Sequence, residues 1–227
     1  MYVGLYDGHS GKHAAEYCRT HLHVNIGRQE EFQHDVGQAM IKAFQETDQR
    51  YNDAADRMGV NDGTTAMAVL LREDSIVVAN CGDARGFLFR GADCETVSLC
   101  SFQHPDREDE KDRVTRAGGK VVWFGTWRVN GVLAVSRSIG DPALRTVVIA
   151  EPEVQSSPLA PGHDDFFVLA TDGLWDVMEP SGVATFVRST LASQGPDGIA
   201  QALVNEAVNN RNSKDNVTVV VVFLHWN

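Results

Sequence analysis

The sequence predicts an α+β fold built on antiparallel sheets. Strand-like runs cluster in the middle of the chain, and helix-like segments lie near both ends. The 227 residues are a usual length for one domain, and 43% of them are hydrophobic, which is enough to bury a substantial core. We therefore expect a single domain over residues 1–227.

The N-terminal part reads as one strand followed by two helices. Residues 2–6 form an apolar run that predicts a strand, and Ser10 is a suitable N-cap for a helix that ends near Leu22. A second helix is predicted because apolar residues recur at helical spacing. These residues are Phe32, Val36, Met40, Ala43, Phe44, Thr47 and Tyr51.

The middle of the chain predicts an antiparallel meander. Its β-rich runs are residues 64–71, 75–80, 86–89 and 96–99, and the polar link Arg72-Glu73-Asp74 between the first two indicates a hairpin. A charged helix over residues 106–117 is closed by Gly118-Gly119. Residues 120–124 and 127–129 predict a second hairpin.

The C-terminal part predicts one buried strand, two helices and a last strand. Residues 166–170 are continuously apolar, as expected for a strand buried on both faces. Pro180 opens a helix that runs to about residue 191. Ile199, Leu203 and Ala207 mark another helix, and residues 217–224 predict the final strand.

Composition excludes some classes of function. The net charge of −11 argues against a nucleic-acid-binding protein, which would normally carry a basic face. The four cysteines form no C-x-x-C pair, which favours buried thiols in a reducing compartment. No apolar run reaches the ~20 residues of a membrane helix, and residue 1 is not followed by a signal peptide. We expect a cytoplasmic or nuclear location, or an organelle if a targeting segment precedes Met1.

Three short segments place an aspartate at the edge of an apolar strand-like run. They are Tyr6-Asp7-Gly8-His9-Ser10-Gly11, Thr171-Asp172-Gly173-Leu174-Trp175-Asp176 and Lys214-Asp215-Asn216-Val217. Carboxylates at the ends of strands can converge on one site, and their oxygens suit a hard divalent cation. His9 adds a proton donor beside the first aspartate. Asp62-Gly63 is interpreted as a turn only.

Seven blocks in sequence order resemble the type 2C protein phosphatases, a family of metal-dependent serine/threonine phosphatases. The blocks are Val3-Gly-Leu-Tyr-Asp-Gly-His-Ser-Gly11, Asp62-Gly-Thr-Thr-Ala66, Ala79-Asn-Cys-Gly-Asp-Ala-Arg85, Arg116-Ala-Gly-Gly119, Val129-Asn-Gly-Val-Leu-Ala-Val-Ser-Arg-Ser-Ile-Gly-Asp141, Ala170-Thr-Asp-Gly-Leu-Trp-Asp-Val177 and Asp215-Asn-Val-Thr218. The resemblance implies a four-layer sandwich, in which two antiparallel β-sheets are flanked on each outer face by antiparallel α-helices. The metal site would lie at one end of that sandwich.

The resemblance also implies an activity. Its members hydrolyse phosphoserine and phosphothreonine in proteins, with metal-activated water as the nucleophile and no phosphoenzyme. The implied cofactors are two Mg²⁺ or Mn²⁺ ions, or three. The alternative on the same fold is a catalytically weak or dead pseudophosphatase that acts as a binding module, although such proteins usually lose metal-binding carboxylates. A different metal hydrolase would be expected to show clustered histidine ligands instead.

Five residues match the central metal site of the family. Asp7 would bridge two ions and Gly8 would offer its backbone carbonyl, while Asp172 and Asp215 would complete the ligands of the first metal. His9 would be the general acid that protonates the leaving serine oxygen. The structural alternatives are turn aspartates at positions 7 and 172, a solvated loop at Asp215, and a histidine that orders the start of the first helix.

Asp83 and Asp176 match positions that would hold a third metal together with Asp172. Each has a structural alternative. Asp83 could form an ion pair with Arg85, and Asp176 could cap the segment that leads into the helix at Pro180.

Two further features concern the substrate and partners. Arg137 could contact substrate, or it could form a structural ion pair with Asp141 or another carboxylate at the edge of the core. Residues 105–127 match the family's flap, which shapes the substrate groove and offers a surface for a regulatory protein. Trp123 and Trp127 lie in this flap, where packing or stiffening of the hairpin is the simpler role.

The resemblance is incomplete at the N-terminus. Family members begin with two more strands before the first aspartate motif, and the loop between those strands carries a phosphate-binding arginine and an acidic residue for the second metal. Residues 1–227 contain no matching stretch. We therefore expect a phosphatase catalytic domain that lacks the first family strands.

Overall fold

Two antiparallel sheets form the centre of the protein in the computed structural model, which describes residues 1–91 and 95–226. The first sheet has the order β1-β2-β3-β9, from β1 (Tyr2–His9), β2 (Gly63–Leu71), β3 (Ser75–Cys81) and β9 (Glu153–Pro158), and β8 (Ile139–Gly140) pairs with the start of β2. The second sheet has the order β11-β10-β4-β5, from β11 (Val219–Phe223), β10 (Asp164–Ala170), β4 (Arg85–Arg90) and β5 (Glu95–Ser98). A separate hairpin joins β6 (Val121–Phe124) to β7 (Thr126–Val129).

Six α-helices within the described residues accompany the sheets. They are α1 (His13–Arg28), α2 (Val36–Met58), α3 (Glu108–Arg116), α4 (Asp172–Trp175), α5 (Pro180–Gln194) and α6 (Ile199–Asn205). A 3₁₀ turn (Glu30–Gln33) links α1 to α2, and a π-helical turn (Glu206–Asn210) continues α6. No helix in the described part of the chain is both long and apolar enough to span a membrane.

Three hydrophobic clusters define four layers. One cluster joins α1 and α2 to the outer face of the first sheet, and another joins α5 and α6 to the outer face of the second sheet. The third cluster lies between the sheets, where Met67 and Val69 of the first sheet share the core with Phe167 and Leu169 of the second. The predicted α+β sandwich is confirmed.

Strand β2 shows how the sequence specifies these layers. Successive side chains on a strand point to opposite faces. Ala66 and Ala68 face the helices, whereas Met67 and Val69 face the second sheet. Because both faces are covered, the strand is apolar without alternation, and its small helix-facing residues leave room for Met40 and Phe44 of α2.

The start of α1 differs from the prediction. Ser10 has φ 59° and does not cap the helix, which begins at His13 and runs to Arg28 rather than Leu22. The carboxylate of Asp62 accepts hydrogen bonds from the backbone N–H of His13 (2.7 Å) and from Tyr51. The interpretation of Asp62 as a turn residue was therefore wrong. Asp62 is buried and anchors α1 to α2 and to the start of β2.

The cysteines and the strands that were not predicted complete the comparison with the sequence. Strand β8, which has two residues, was not predicted. Cys18, Cys81 and Cys100 are buried free thiols, as expected, while Cys94 lies outside the described residues. Strand β9 was not predicted, because its sequence is polar and it pairs only with β3 at the edge of the sheet.

Candidate metal centre

The predicted aspartates lie at the same end of both sheets. Asp7 is paired with Thr65 near the end of β1. Asp83 lies in the turn between β3 of the first sheet and β4 of the second. Asp172 follows β10, whose last residue Ala170 is paired with Val219 at the start of β11, and Asp215 lies four residues before that strand. The topology thus brings four separate segments to one edge of the sandwich.

Direct contacts hold the segments of Asp172 and Asp215 together. Thr171 Oγ1 accepts a hydrogen bond from the backbone N–H of Thr218 (3.1 Å), and Ser213 Oγ donates to the carbonyl of Gly173 (2.7 Å). A Cβ at Gly173 would lie 2.3 Å from the carbonyl oxygen of Asn216. Glycine is therefore required for this close approach of the two backbones.

One cavity of about 230 Å³ collects most of the predicted site residues. It is lined by Asp7, Gly8, His9, Asp83, Asp172 and Asp215, together with Thr65, Arg128, Leu133, Ala134, Val135 and Asn216. We call Asp7, Asp83, Asp172 and Asp215 the open cluster, because none of them forms an ion pair with an arginine or lysine within the described residues.

The carboxylates of the open cluster disfavour one another's charge. Burial raises the pKa of Asp7 to about 6, and the nearby carboxylates of Asp172 and Asp215 add to the shift. Burial and the charges of Asp172 and Asp7 raise the pKa of Asp83 to about 7. The pKa of Asp172 is raised by burial and then by Asp215 and Asp176. Several anions therefore share a cavity that holds too little positive charge to balance them.

This donor set fits hard divalent cations. All the side-chain ligand atoms that the open cluster offers are carboxylate oxygens, and Gly8, whose backbone carbonyl is a further oxygen ligand in the resemblance, lines the same cavity. Asp7, Asp172 and Asp215 do not bring three ligand oxygens within 4.8 Å of one another, whereas a different acidic group does. The wider spacing suits ions such as Mg²⁺, which keep several water ligands.

The more tightly spaced acidic group consists of Asp109, Glu110 and Glu153, and we call it the arginine-bound cluster. Glu110 is 1% exposed and accepts hydrogen bonds from Arg137 (2.6 Å), Arg113 (2.8 Å) and Ser136 (2.6 Å). Glu153 and Asp109 both bind Arg107. Three arginines already balance these carboxylates, so the cluster is a structural ion-pair network rather than a cation site.

Arg137 lies in this network and does not line the cavity of the open cluster. Besides Glu110 it contacts Glu153 (3.4 Å) and donates to the carbonyl of Glu151 (2.9 Å). Asp141, the other partner considered for Arg137, binds elsewhere. In the structure Arg137 therefore forms ion pairs with carboxylates, which is the structural alternative to a substrate contact.

His9 is held by a buried carboxylate. Its Nε2 atom lies 2.8 Å from Oδ2 of Asp141, which is 4% exposed and also accepts a hydrogen bond from Ser138. A Cβ at Gly63 would lie 2.1 Å from the same Asp141 oxygen and 2.5 Å from His9 Nε2. Gly63 therefore leaves the space in which His9 and Asp141 meet, and the pair fixes the imidazole at the wall of the cavity.

The alternatives considered for Asp83 and Asp176 differ in outcome. Asp83 forms no ion pair with Arg85 within the described residues. Asp176 occupies the C-terminal cap position of α4, in the segment that leads into α5, whose own cap position is occupied by Glu179. Asp176 is exposed and lies outside the cavity lining, but it is near enough to raise the pKa of Asp172 after burial and Asp215.

The flap hairpin projects an aromatic tip. Trp123 is 63% exposed and packs edge-to-face on Trp127, with ring centroids 5.5 Å apart, and Phe124 is 75% exposed. The regulatory surface expected over residues 105–127 stays a prediction.

Sequence reasoning missed Arg128. This residue lies on β7 and lines the cavity of the open cluster. Its Nη1 donates to the carbonyl of Val132 (2.6 Å), while its Nε is buried without a hydrogen-bond partner among the described residues. The matched block began at Val129, one residue later, so the available signal was an arginine at the edge of a recognised motif.

Comparison with known sequences gives the family. The profile described as Protein phosphatase 2C matches residues 1–217. Protein phosphatase 1E of Mus musculus is 41% identical over 225 residues, which cover 98% of this chain and 30% of the relative. Probable protein phosphatase 2C 7 of Oryza sativa subsp. japonica is 40% identical over 98% of this chain and 57% of its own length. The chain therefore spans about a third to three fifths of these curated relatives.

Comparison with solved structures shows that phosphatases of this family share the fold. A C. elegans sex determining protein superposes with a TM-score of 0.90 at 26% identity, over 99% of this chain and 56% of that one. A serine-threonine phosphatase 2C from Toxoplasma gondii superposes with a TM-score of 0.88 at 21% identity, over 98% of this chain and 84% of that one, and so supports the fold. The cavity, the profile and these relatives together show that the chain belongs to the protein phosphatase 2C family.

Proposed function

We propose that this chain is the catalytic domain of a metal-dependent protein serine/threonine phosphatase. The observation that carries the proposal is the cavity in which the carboxylates of the open cluster converge without balancing cations, beside His9 and Arg128. The phosphatase names of the relatives support phosphoproteins as the class of substrate.

The open cluster would hold the cations. After burial, the nearby carboxylates of Asp172 and Asp215 raise the pKa of Asp7, so Asp7 is near both and would share cations with them. Asp172, Asp215 and the Gly8 carbonyl would complete the ligands, and Asp83 with Asp176 would hold a third ion. When bound, Mg²⁺ or Mn²⁺ would balance the charge of the phosphoryl group and lower the pKa of a coordinated water.

Two side chains at the cavity wall would act on the substrate. Arg128 lines the cavity, and its guanidinium would bind an oxygen of the phosphoryl group there. His9 would donate a proton to the departing serine or threonine oxygen, because an alkoxide is a poor leaving group. Asp141 would keep the imidazole in the orientation that this transfer requires.

Phosphate release from phosphoserine and phosphothreonine peptides tests the proposal. The wild type should release inorganic phosphate with added Mn²⁺ or Mg²⁺, and excess chelator should abolish the reaction. Asp172→Asn should lose both the activity and the response to metal. Hydrolysis that survives chelation in the wild type and persists in Asp172→Asn would contradict a metal-dependent phosphatase.

The role of His9 is tested by the leaving group. His9→Gln should slow the hydrolysis of phosphoserine by about 10²–10⁴-fold and that of p-nitrophenyl phosphate much less, since nitrophenolate departs without a proton. His34→Gln, an exposed histidine outside the cavity, is the matched control and should match the wild type. Equal losses on both substrates in His9→Gln would remove His9 from the role of general acid.

A further inference from the structure

A larger groove lies beside the metal centre, and the proposed mechanism does not use it. Its volume is about 870 Å³, against about 230 Å³ for the metal cavity. Its lining includes Arg85, Phe87, Cys100, Phe102, His104 and Arg107. Asp83 lines the metal cavity and Arg85 lines the groove, so one short segment borders both. Two residues of extended chain span at most ~7 Å, which makes the two sites neighbours.

Arg85 is the cation of this groove that lacks a carboxylate partner among the described residues. Arg107 binds Asp109 and Glu153, and His104 binds Asp106. The guanidinium of Arg85 instead lies 4.1 Å from the centroid of the Phe102 ring.

The donors of Arg85 are also unusual. Its Nε is buried without a hydrogen-bond partner, as are those of Arg128 and Arg188. Arg188 binds Asp165, and Arg128 donates to a carbonyl, whereas no side-chain hydrogen bond of Arg85 is found among the described residues. The buried Nε is closed to a ligand, but Arg85 is half-buried and lines the groove, so the rest of its guanidinium can meet an anionic group there.

The surroundings of Arg85 suit part of a peptide. Phe102 is 39% exposed and Phe87 is half-buried, and together they give the groove apolar walls. The guanidinium is planar, so its N–H groups lie in one plane, which matches the two oxygens of a carboxylate or those of a phosphate. In a chain with a net charge of −11, an unpaired arginine is a local site of attraction for acidic groups.

We infer that this groove binds the part of the substrate chain beside the phosphorylated residue, and that Arg85 binds an acidic group on it. The inference rests on the proposed function, which places the phosphoserine at the metal centre. An extended peptide advances ~3.3 Å per residue, so the acidic group would lie about two to four residues from the phosphoserine. It would be either a Glu or Asp carboxylate or a second phosphate.

Matched phosphopeptides test the inference. The peptides come in sets of three that differ at one position, two to four residues before or after the phosphoserine. At that position the first peptide has Glu, the second has Gln, and the third has a second phosphoserine. At the position that Arg85 reaches, the wild type should have a kcat/KM for the Glu peptide about fivefold above that for the Gln peptide. The difference should arise from KM, with kcat the same for both peptides. A larger ratio for the second phosphoserine than for Glu would identify phosphate as the preferred anion, and a larger ratio for Glu would identify a carboxylate.

Substitution of Arg85 should remove this preference. In Arg85→Gln the ratio should fall to about one, and Arg85→Lys should keep part of it. Arg72→Gln is the matched control, because Arg72 is exposed at the opposite end of β2, and its ratio should equal that of the wild type. A ratio that is unchanged in Arg85→Gln, or an equal fall in kcat on all peptides, would overturn the inference, since the latter would mean that Arg85 acts on the metal centre and not on the acidic group of the peptide.

A binding measurement separates this inference from the proposed function. Fluorescence anisotropy of the labelled Glu and Gln peptides, in chelator, reports the groove without any turnover. If no peptide is hydrolysed, the proposed function fails, while an affinity difference that disappears in Arg85→Gln still supports the groove. If the peptides are hydrolysed but the difference in affinity between the Glu and Gln peptides is the same in the wild type and in Arg85→Gln, the groove inference is overturned. The proposed function is then retained.

Discussion

Two groups of carboxylates in this protein differ in what balances their charge. In the arginine-bound cluster, Glu110 is buried and receives hydrogen bonds from Arg137 and Arg113. Burial alone would raise the pKa of Glu110, but the hydrogen bonds from Arg137, Arg113 and Ser136 outweigh it and lower the pKa to about 2. In the open cluster, burial and neighbouring carboxylates raise the pKa of Asp7 to about 6.

The difference separates a structural site from a functional one. Both groups gather acidic residues from distant parts of the chain, so the gathering itself does not indicate a metal site. The arginine-bound cluster brings its oxygens closer together, yet its cations are built into the protein. The open cluster leaves its charge to be balanced from outside, which is what a site for divalent cations requires.

The largest expected effect is on activity. Asp7→Asn removes a carboxylate that is proposed to bind the cations, and turnover of a phosphoserine peptide with Mn²⁺ should fall by at least about 10²-fold. Asp74→Asn, an exposed aspartate between β2 and β3, is the matched control and should retain wild-type turnover. Full activity in Asp7→Asn would mean that the open cluster is not the catalytic metal site.

The corresponding change in the arginine-bound cluster should act on stability instead. Glu110→Gln leaves Arg137 and Arg113 without their buried counter-charge, and the free energy of unfolding should fall by about 3 kcal/mol. Urea unfolding in chelator measures this. Asp109→Asn, on the exposed side of the same cluster, should cost less than about 1 kcal/mol. Equal stabilities for Glu110→Gln and the wild type would show that the network does not stabilise the fold.

Acid should weaken the arginine-bound cluster. The pKa of Glu110 is lower in the folded protein than in the unfolded chain, so its stabilisation is fully present above the ordinary value of 4.5 and is lost as the pH falls toward about 2. The difference in unfolding free energy between the wild type and Glu110→Gln should therefore be constant near neutral pH and shrink below about pH 5. A difference that is independent of pH down to about pH 3 would contradict the lowered pKa.

The smallest effect is expected at the edge of the open cluster. Asp83→Asn should raise the Mn²⁺ concentration needed for half-maximal turnover by about tenfold, because Asp83 would hold only the third, weaker ion. Stability in chelator should not fall, since the substitution removes one of several repelling carboxylates. A large loss of stability would instead assign Asp83 a structural role.

Most of the fold could be predicted from sequence because it depends on local patterns. The apolar periodicity of α2 and the continuous apolar run of β10 follow directly from burial on one or both faces. The start of α1 could not be predicted, because the carboxylate that caps it belongs to Asp62, 49 residues away. Strand β9 was missed because a polar edge strand has no apolar pattern.

The residues of the candidate site also fall into two groups, those that local sequence motifs predict and those that they do not. Asp7, Asp172 and Asp215 lie in short motifs at the ends of strands, so the sequence predicted them, and the structure brings them to one cavity. Arg128 and the Glu110 network escaped prediction. The residues that these side chains contact depend on how the flap, α3 and β9 pack together. A single arginine or glutamate in the sequence does not indicate such contacts.

The central claim is that the open cluster, and not the arginine-bound cluster, binds the divalent cations. Titration with Mn²⁺, followed by the electron paramagnetic resonance signal of the free ion, tests it in the wild type, Asp172→Asn and Glu153→Gln. We expect the wild type and Glu153→Gln to bind Mn²⁺ alike and Asp172→Asn to lose the tightest site. Binding that is retained in Asp172→Asn and lost in Glu153→Gln would contradict the claim.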